Sequence, residues 1–229
     1  AGRIAGHLGL DNYVMFYDSN NVQLSTMTNA VTSEDVAKKY EAWNWNVITI
    51  NGNDVDEIRK ALKLAKAEKE KPTLIIGETI MGWGAVTKEN TSFEGQVSTH
   101  GQPLTAAGGC IIRTVENLGG FIDNAFTIFP EVEELYKKRE DELRTLVAAK
   151  KEAIAQWEKE NPEAAEKKKK WFNRELPSID WQAIEQKANQ ATRAASAKVL
   201  SELALQVENM IVGSADLSNS DKTDGFLNK

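Results

Sequence analysis

The chain has 229 residues, 41% of them hydrophobic and 27% charged, enough apolar material to bury a core in one domain or two. Its net charge of −6 argues against a nucleic-acid partner, whose binding needs a basic surface, and a single cysteine, Cys110, with only His7 and His100 beside it, provides neither an internal disulfide nor a Cys/His zinc site. No run approaches the roughly 18 consecutive apolar residues of a membrane span and no secretory leader opens the chain, so a soluble, cytoplasmic protein without a membrane partner is expected.

Ile4 to Leu10 reads as the end of a helix closed by Gly9. No methionine and no helix start signal precede it, so a piece of a longer chain is expected. Val14-Met15-Phe16-Tyr17 is a short apolar run of the kind that forms a strand covered on both faces. Asp18, Ser19, Asn20 and Asn21 follow it directly and form a turn, because Asp and Asn bond their own backbone and tolerate left-handed conformations. In open parallel sheets ligands sit beyond the carboxyl ends of strands. Carboxylate, amide and carbonyl oxygens in such a turn suit Mg²⁺ or Ca²⁺. Taken alone, the stretch fits an ion site and an ordinary polar loop alike.

Thr32 reads as an N-cap with Asp35 three residues on, opening a helix of about three turns with Val36, Ala37, Tyr40 and Trp43 at apolar positions. Trp45 to Ile50 alternates as a strand does. Asp54 with Glu57 repeats the capping pattern before Val55, Ile58, Leu62 and Ala65, and a third strand, Thr73 to Ile80, follows Pro72. This alternation predicts right-handed βαβ units and a parallel sheet.

Met81 to Pro103 is long for a loop and contains Gly82, Gly84, Gly95 and Gly101, with His100 near its end; loops of this length are functional or disordered. By itself His100 reads as a solvent-exposed loop residue. Thr105 to Leu118 is predicted helical despite Gly108 and Gly109, with Gly119-Gly120 ending it.

From Pro130 the composition shifts. Val132, Leu135, Tyr136, Leu143, Leu146, Val147, Ile154 and Trp157 lie among charges through Lys159, predicting one long amphipathic helix whose apolar stripe needs a surface. Asn161-Pro162 opens a second helix, on which Lys167 to Lys170 read as a solvated face rather than an anion patch. Leu176 to Ile184 is a connector. Ala191 to Leu205 is a helix with Arg193 near its start, and Met210-Ile211-Val212 is a short strand running into Gly213-Ser214-Ala215-Asp216. Ser218 to Lys229 is polar, with no sign of completing a fold.

Five of these stretches match one family in one order: Y-D-S-N at Tyr17 to Asn20, G-W-G at Gly82 to Gly84, T-H-G-Q-P-L at Thr99 to Leu104, A-T-R at Ala191 to Arg193, and G-S-A-D-L at Gly213 to Leu217. In these the chain resembles transketolase, a thiamine-diphosphate-dependent enzyme, over essentially its whole length. The resemblance implies an α/β, parallel-sheet thiamine-diphosphate-binding fold, present in part, with a helical connector. Residues 1–129 correspond to the C-terminal part of the diphosphate-binding domain, 130–188 to the connector and 189–229 to the start of the pyrimidine-binding domain. It further implies that Asn20, by its side chain, and Val22, by its carbonyl, hold Mg²⁺ (or Ca²⁺), that Asp18 and Met81 lie by the thiazolium, and that His100 contacts both the diphosphate and the donor sugar. Arg193 and Ser220 would grip the phosphate of the sugar, and Asp216 would lie near the cofactor at a subunit contact. An arginine at a helix start suits that role, since guanidinium binds phosphate in a fork and helix N-termini attract anions.

The implied reaction moves a two-carbon ketol unit from a ketose phosphate to an aldose phosphate, in a homodimer whose active site lies between subunits, with histidines in the site moving hydroxyl protons. Met81 stands where the family has isoleucine and Asn219 where it has proline, and the loop from Gly84 to His100 is longer than usual. The G-D-G motif that supplies the other metal ligand, the upstream histidines and the downstream glutamate have no counterpart, so the isolated chain is expected to be inactive. A dihydroxyacetone synthase-like enzyme shares most of these motifs, and a non-catalytic fragment or paralogue would keep the fold and dimer surface alone.

Overall fold

Leu74 and Ile75 have no exposed surface, and the first part of the chain is arranged around the strand that carries them. The computed structural model describes residues 1–124 and 126–228. They divide into two compact units, Ala1–Phe129 and Pro130–Lys229.

In the first unit, α1 (Gly2–His7), β1 (Val14–Ser19), α2 (Val36–Ala42), β2 (Asn46–Asn51), α3 (Val55–Ala67) and β3 (Thr73–Glu78) alternate as the sequence predicts. The strands form a parallel sheet in the order β1-β3-β2. β3 is central and apolar without alternation, as a strand with helices on both faces must be. Leu74 and Ile76 pack on one face with Ala5 and Trp45, against Met15, Tyr40 and Trp43. Ile75 packs on the other with Ile50, Ala61 and Ala65. The buried Thr73 hydroxyl is satisfied by the Asn46 side-chain amide at 3.2 Å. α1 docks through the Trp45 indole, which donates to the Gly2 carbonyl at 2.8 Å, and a side chain on Gly6 would collide with the Trp43 carbonyl.

Several predicted details are corrected. β1 is not covered on both faces: it is the sheet edge, with Phe16 44% exposed, because α3 packs on β2 and β3. The cap of α2 is Asp35, whose carboxylate accepts from the Lys38 amide, and the helix is only 7 residues long; Thr32 instead accepts from Glu34 in the preceding turn. Asp54 does cap α3, but Glu57 reaches back to the Asn51 amide rather than to the cap residue, at 2.7 Å. The buried positions of α3 are Ala61 and Ala65, whereas Leu62 is 49% exposed, since only small side chains let the helix lie close on the sheet. The helix expected over 105–118 is two, α4 (Leu104–Ala107) and α5 (Ile111–Asn117). They are parted at Gly108, which takes φ of 112° and ends the first.

The second unit is helical. α6 (Pro130–Glu160) runs unbroken and α7 (Pro162–Phe172) starts at proline as expected. No residue of α6 is buried. Lys168 of the basic run pairs with Glu158 at 2.8 Å and lies over the Trp157 ring, and Lys167 pairs with Glu208, so the run is a solvated face. α8 (Thr192–Gln206) is followed by an extended segment at Met210 to Val212 that pairs with no strand. Ile211 there is 95% exposed. A strand needs hydrogen-bonded neighbours, and the sheet among the described residues lies in the other unit. The polar tail, whose last residue, Lys229, lies outside the described residues, forms two short helices, α9 (Ser218–Asp221) and α10 (Asp224–Leu227). The Ser201 hydroxyl of α8 bonds the Gly225 carbonyl at 2.8 Å and so fastens α10 to α8.

Replacing Leu74 by alanine leaves a cavity in the face it shares with Ala5, Trp45 and Ile76, and a loss of about 2–5 kcal/mol is expected from denaturant unfolding followed by tryptophan fluorescence. Leu62→Ala, on the exposed face of α3, should change stability by about 0.5 kcal/mol or less.

Candidate functional site

The residues singled out from the sequence gather first at the carboxyl ends of β1 and β3. Because the strands are parallel and in register, Asp18 lies opposite Gly77 and Ser19 opposite Glu78, so both chains leave the sheet at one level. Thr79, just past β3, donates its hydroxyl to the Asp18 carboxylate, and its amide bonds the Ser19 carbonyl at 3.3 Å. The Asn53 side chain accepts from the Ile80 amide at 3.0 Å, tying the β2 exit to the same edge.

Beyond Asp18 the polar turn forms as its composition predicts. The Asn20 side-chain oxygen accepts from the Val22 amide at 3.0 Å, an Asx turn, and its NH₂ lies 3.5 Å from Asp18. Asn21 takes φ of 62°. Val22 is buried and bridges antiparallel to Met27, closing a small hairpin. The oxygen of Asn20 keeps a second lone pair, and no described group donates to the carbonyl of Val22. The two are hard donors of the kind Mg²⁺ or Ca²⁺ takes. Among the described residues no group of three or more His, Cys, Asp or Glu side chains forms a metal cluster, and a divalent ion held at this turn would have to take amide, carbonyl and ligand oxygens.

The long loop is ordered. Val86 and Ser92 bridge antiparallel around a turn at Asn90, and the Gly95 amide returns to the Met81 carbonyl at 2.8 Å. A 3₁₀ turn, Val97–Thr99, then leads into His100. The stretch between Gly84 and His100 is thus taken up by this hairpin and the turn after it, and Gly95 brings the chain back beside Met81. A side chain on Gly82 would meet Thr99 at 3.4 Å, and one on Gly101 would meet Leu24 at 3.0 Å. The loop bearing His100 therefore lies against both the G-W-G turn and the Asn20 to Leu24 turn. His100 is half-buried, not solvent-exposed, and its Nδ1 is shut from solvent without a hydrogen-bond partner. A buried polar atom left unpaired costs free energy and points to a missing partner. The donor set and this orphan nitrogen fit a phosphorylated cofactor held with a divalent ion.

Arg193, Asp216 and Ser220 belong to the other unit. Arg193 lies in the first turn of α8, exposed, with no carboxylate in ion-pair reach among the described residues. Asp216 takes φ of 63° in the turn before α9, and Ser220 is on α9, exposed. No hydrogen bond joins Arg193 to Ser220. The residue that organises this segment, Asp221, has no signal in the sequence beyond its place in a polar run. Its carboxylate accepts from the Ser214 hydroxyl at 2.8 Å and from the Thr223 amide at 3.0 Å. Thr79 and Asn53 were equally silent, since each acts across a separation in sequence that no local pattern reports.

A parallel α/β unit whose strand exits collect hard oxygen donors and an unpaired buried imidazole is a cofactor-binding domain of the open-sheet class. The sequence profile of the transketolase, thiamine diphosphate binding domain, matches residues 1–177. The chain belongs to that family. It is 35% identical to a transketolase of Streptococcus pyogenes over 97% of its own length and 30% of that protein, and 34% identical to a dihydroxyacetone synthase of Pichia angusta over 95% of its length and 30% of that protein. The solved transketolase from Leishmania mexicana is similar over 97% of this chain and 32% of its own, with a TM-score of 0.82 and 29% identity. A Pichia stipitis transketolase structure, in complex with sedoheptulose-7-phosphate, is similar over the same shares with a TM-score of 0.81 and 27% identity. The chain spans about a third of the length of the curated relatives it matches. No helix among the described residues is long and apolar enough to cross a membrane.

The bonds from Thr223 and Ser214 hold the Asp221 carboxyl below the usual aspartate value of 3.8. A lowered carboxyl stabilises the folded form fully above the unfolded value and loses that contribution as pH falls through the lowered one. Amide protection at Thr223 and Leu217 should accordingly be constant above about pH 5 and fall below the ordinary aspartate range, and Asp221→Asn should abolish that dependence in hydrogen-exchange measurements.

Proposed function

We propose that this chain is part of a transketolase, transferring a two-carbon ketol unit from a ketose phosphate to an aldose phosphate with thiamine diphosphate and Mg²⁺ (or Ca²⁺). The observation that supports this best is the meeting of three family motif loops beyond β1 and β3, with the His100 Nδ1 buried and unpartnered among them. The side-chain oxygen of Asn20 and the carbonyl of Val22 hold the metal. Asp18, fixed by Thr79, and Met81 lie by the cofactor ring, and Met81 is flexible enough to take the place of a branched side chain. His100 satisfies its free nitrogen on the diphosphate and moves a hydroxyl proton of the sugar. When bound, thiamine diphosphate supplies a thiazolium ring that serves as the electron sink for carbon–carbon bond cleavage.

In this reading residues 1–129 are the latter part of the diphosphate-binding domain, 130–188 a connector and 189–229 the start of the pyrimidine-binding domain. Arg193 and Ser220 hold the substrate phosphate, with Asp216 near the cofactor, in a cytoplasmic homodimer whose site is shared between subunits. The exposed guanidinium of Arg193, without an ion-pair partner among the described residues, suits an anionic ligand. The isolated chain lacks the G-D-G aspartate and the later glutamate and is inactive alone. A dihydroxyacetone synthase reading stands beside this one, since such an enzyme of Candida boidinii is 35% identical over 94% of this chain. Formaldehyde against an aldose phosphate as acceptor separates the two in an assay of the longer polypeptide.

Calorimetric titration with thiamine diphosphate should show binding only with Mg²⁺ present. Asn20→Ala and His100→Ala should each weaken it by about 10–100-fold. Equal binding without metal, or by the Asn20→Ala variant, would refute the assignment of the metal site.

A further inference from the structure

One residue of the G-W-G turn, Gly84, has both its main-chain amide and its carbonyl held by side chains from elsewhere. The Gly84 amide donates to the Glu94 carboxylate at 2.6 Å, and the Gly84 carbonyl accepts from the Asn117 side-chain amide at 2.9 Å. The second carboxylate oxygen of Glu94 accepts from the Ser92 hydroxyl at 3.2 Å. Glu94 is half-buried and pairs with no lysine or arginine among the described residues, so its charge is spent on the backbone. A bond from an amide to an ionised acceptor is about twice as strong as a neutral one. Gly84 itself takes φ of 78°, and a side chain there would run into Leu118, so the turn admits neither another residue nor another path.

We propose that Glu94 and Asn117 are positioning residues, which lock the Gly82 to Gly84 turn and through it set the place of His100. This rests on the reading of His100 as a cofactor contact. The coupling is geometric. Glu94 closes the hairpin between two main-chain bonds, Phe93 to Ala85 and Gly95 to Met81, each 2.8 Å long. Gly82 on the locked turn lies against the Thr99 side chain, whose hydroxyl bonds the Gln96 carbonyl at 2.6 Å, and the His100 amide bonds Val97 at 3.1 Å. Releasing Gly84 frees the wall against which the 3₁₀ turn carrying His100 is packed. A local role as a turn cap does not account for the contact, because Glu94 and Gly84 are ten residues apart and Asn117 comes from α5.

The chain has two histidines, so proton spectra of the imidazole rings report His100 directly, with His7 on α1 as an internal control. In the ligand-free 229-residue chain, Glu94→Ala and Asn117→Ala should each shift or broaden the His100 resonances and raise the exchange rate of the Gly84 amide by about tenfold or more, with His7 unchanged. Glu94→Gln, which still offers an oxygen to the amide, should keep both close to wild type. With Mg²⁺ and thiamine diphosphate added, the alanine variants should need about 10–100-fold more cofactor to move His100 than wild type does. Unchanged His100 signals and Gly84 exchange in both alanine variants would overturn the proposal, as would loss of the lock without any change at His100. A wild-type His100 that ignores the cofactor would refute the functional reading instead, while the ligand-free spectra still decide the positioning role.

Discussion

The burial of β3 on both faces is the constraint on which the first unit depends. Leu74 and Ile76 point one way and Ile75 the other, so the strand is stable only with helices on each side and a hydrogen-bonded neighbour along each edge. With β3 fixed, β1 and β2 have no freedom of register. Gly77 is required where Phe16 of β1 crosses over it, since a side chain there would overlap the ring. The parallel register then brings Asp18 and Thr79 out of the sheet together, and the site begins from that pair.

From this edge outward, order is supplied by hydrogen bonds to backbone rather than by apolar packing. The Asx turn at Asn20, the grip of Asn53 on Ile80 and the hairpin of residues 81–95 each satisfy main-chain groups that the sheet no longer pairs. The hairpin closes through its own main-chain bonds. Within it Phe93 bonds Ala85 and Gly95 returns to Met81. His100 then lies with its backbone secured and one ring nitrogen unpaired, the state expected of a group whose partner is a ligand.

The second unit follows a different logic. α6 buries no residue, and its charges are arranged as short-range pairs such as Arg139 with Glu142 at 2.7 Å. Exposed pairs of this sort contribute little to stability and do not by themselves account for the helix. Toward the C-terminus the carboxylate of Asp221 gathers the turn that contains Asp216 and Ser220.

The alternation of strands and helices in residues 1–78, the two long helices after Pro130 and the family were legible in the sequence, because hydrophobic period, capping residues and short motifs are local properties of the chain. The sequence also marked Asp18 and Asn20, through the polar run that follows a strand, whereas His100 by itself read as solvent-exposed and was singled out by the family motif. It misplaced what depends on neighbours. Which strand is central, which face of α3 is buried, whether Met210 to Val212 pairs as a strand, and how Gly108 divides a helix were decided by contacts far apart in the chain. Thr79, Asn53, Glu94 and Asn117 were invisible for the same reason: each bonds a group at least ten residues away, and only the folded backbone brings the two together.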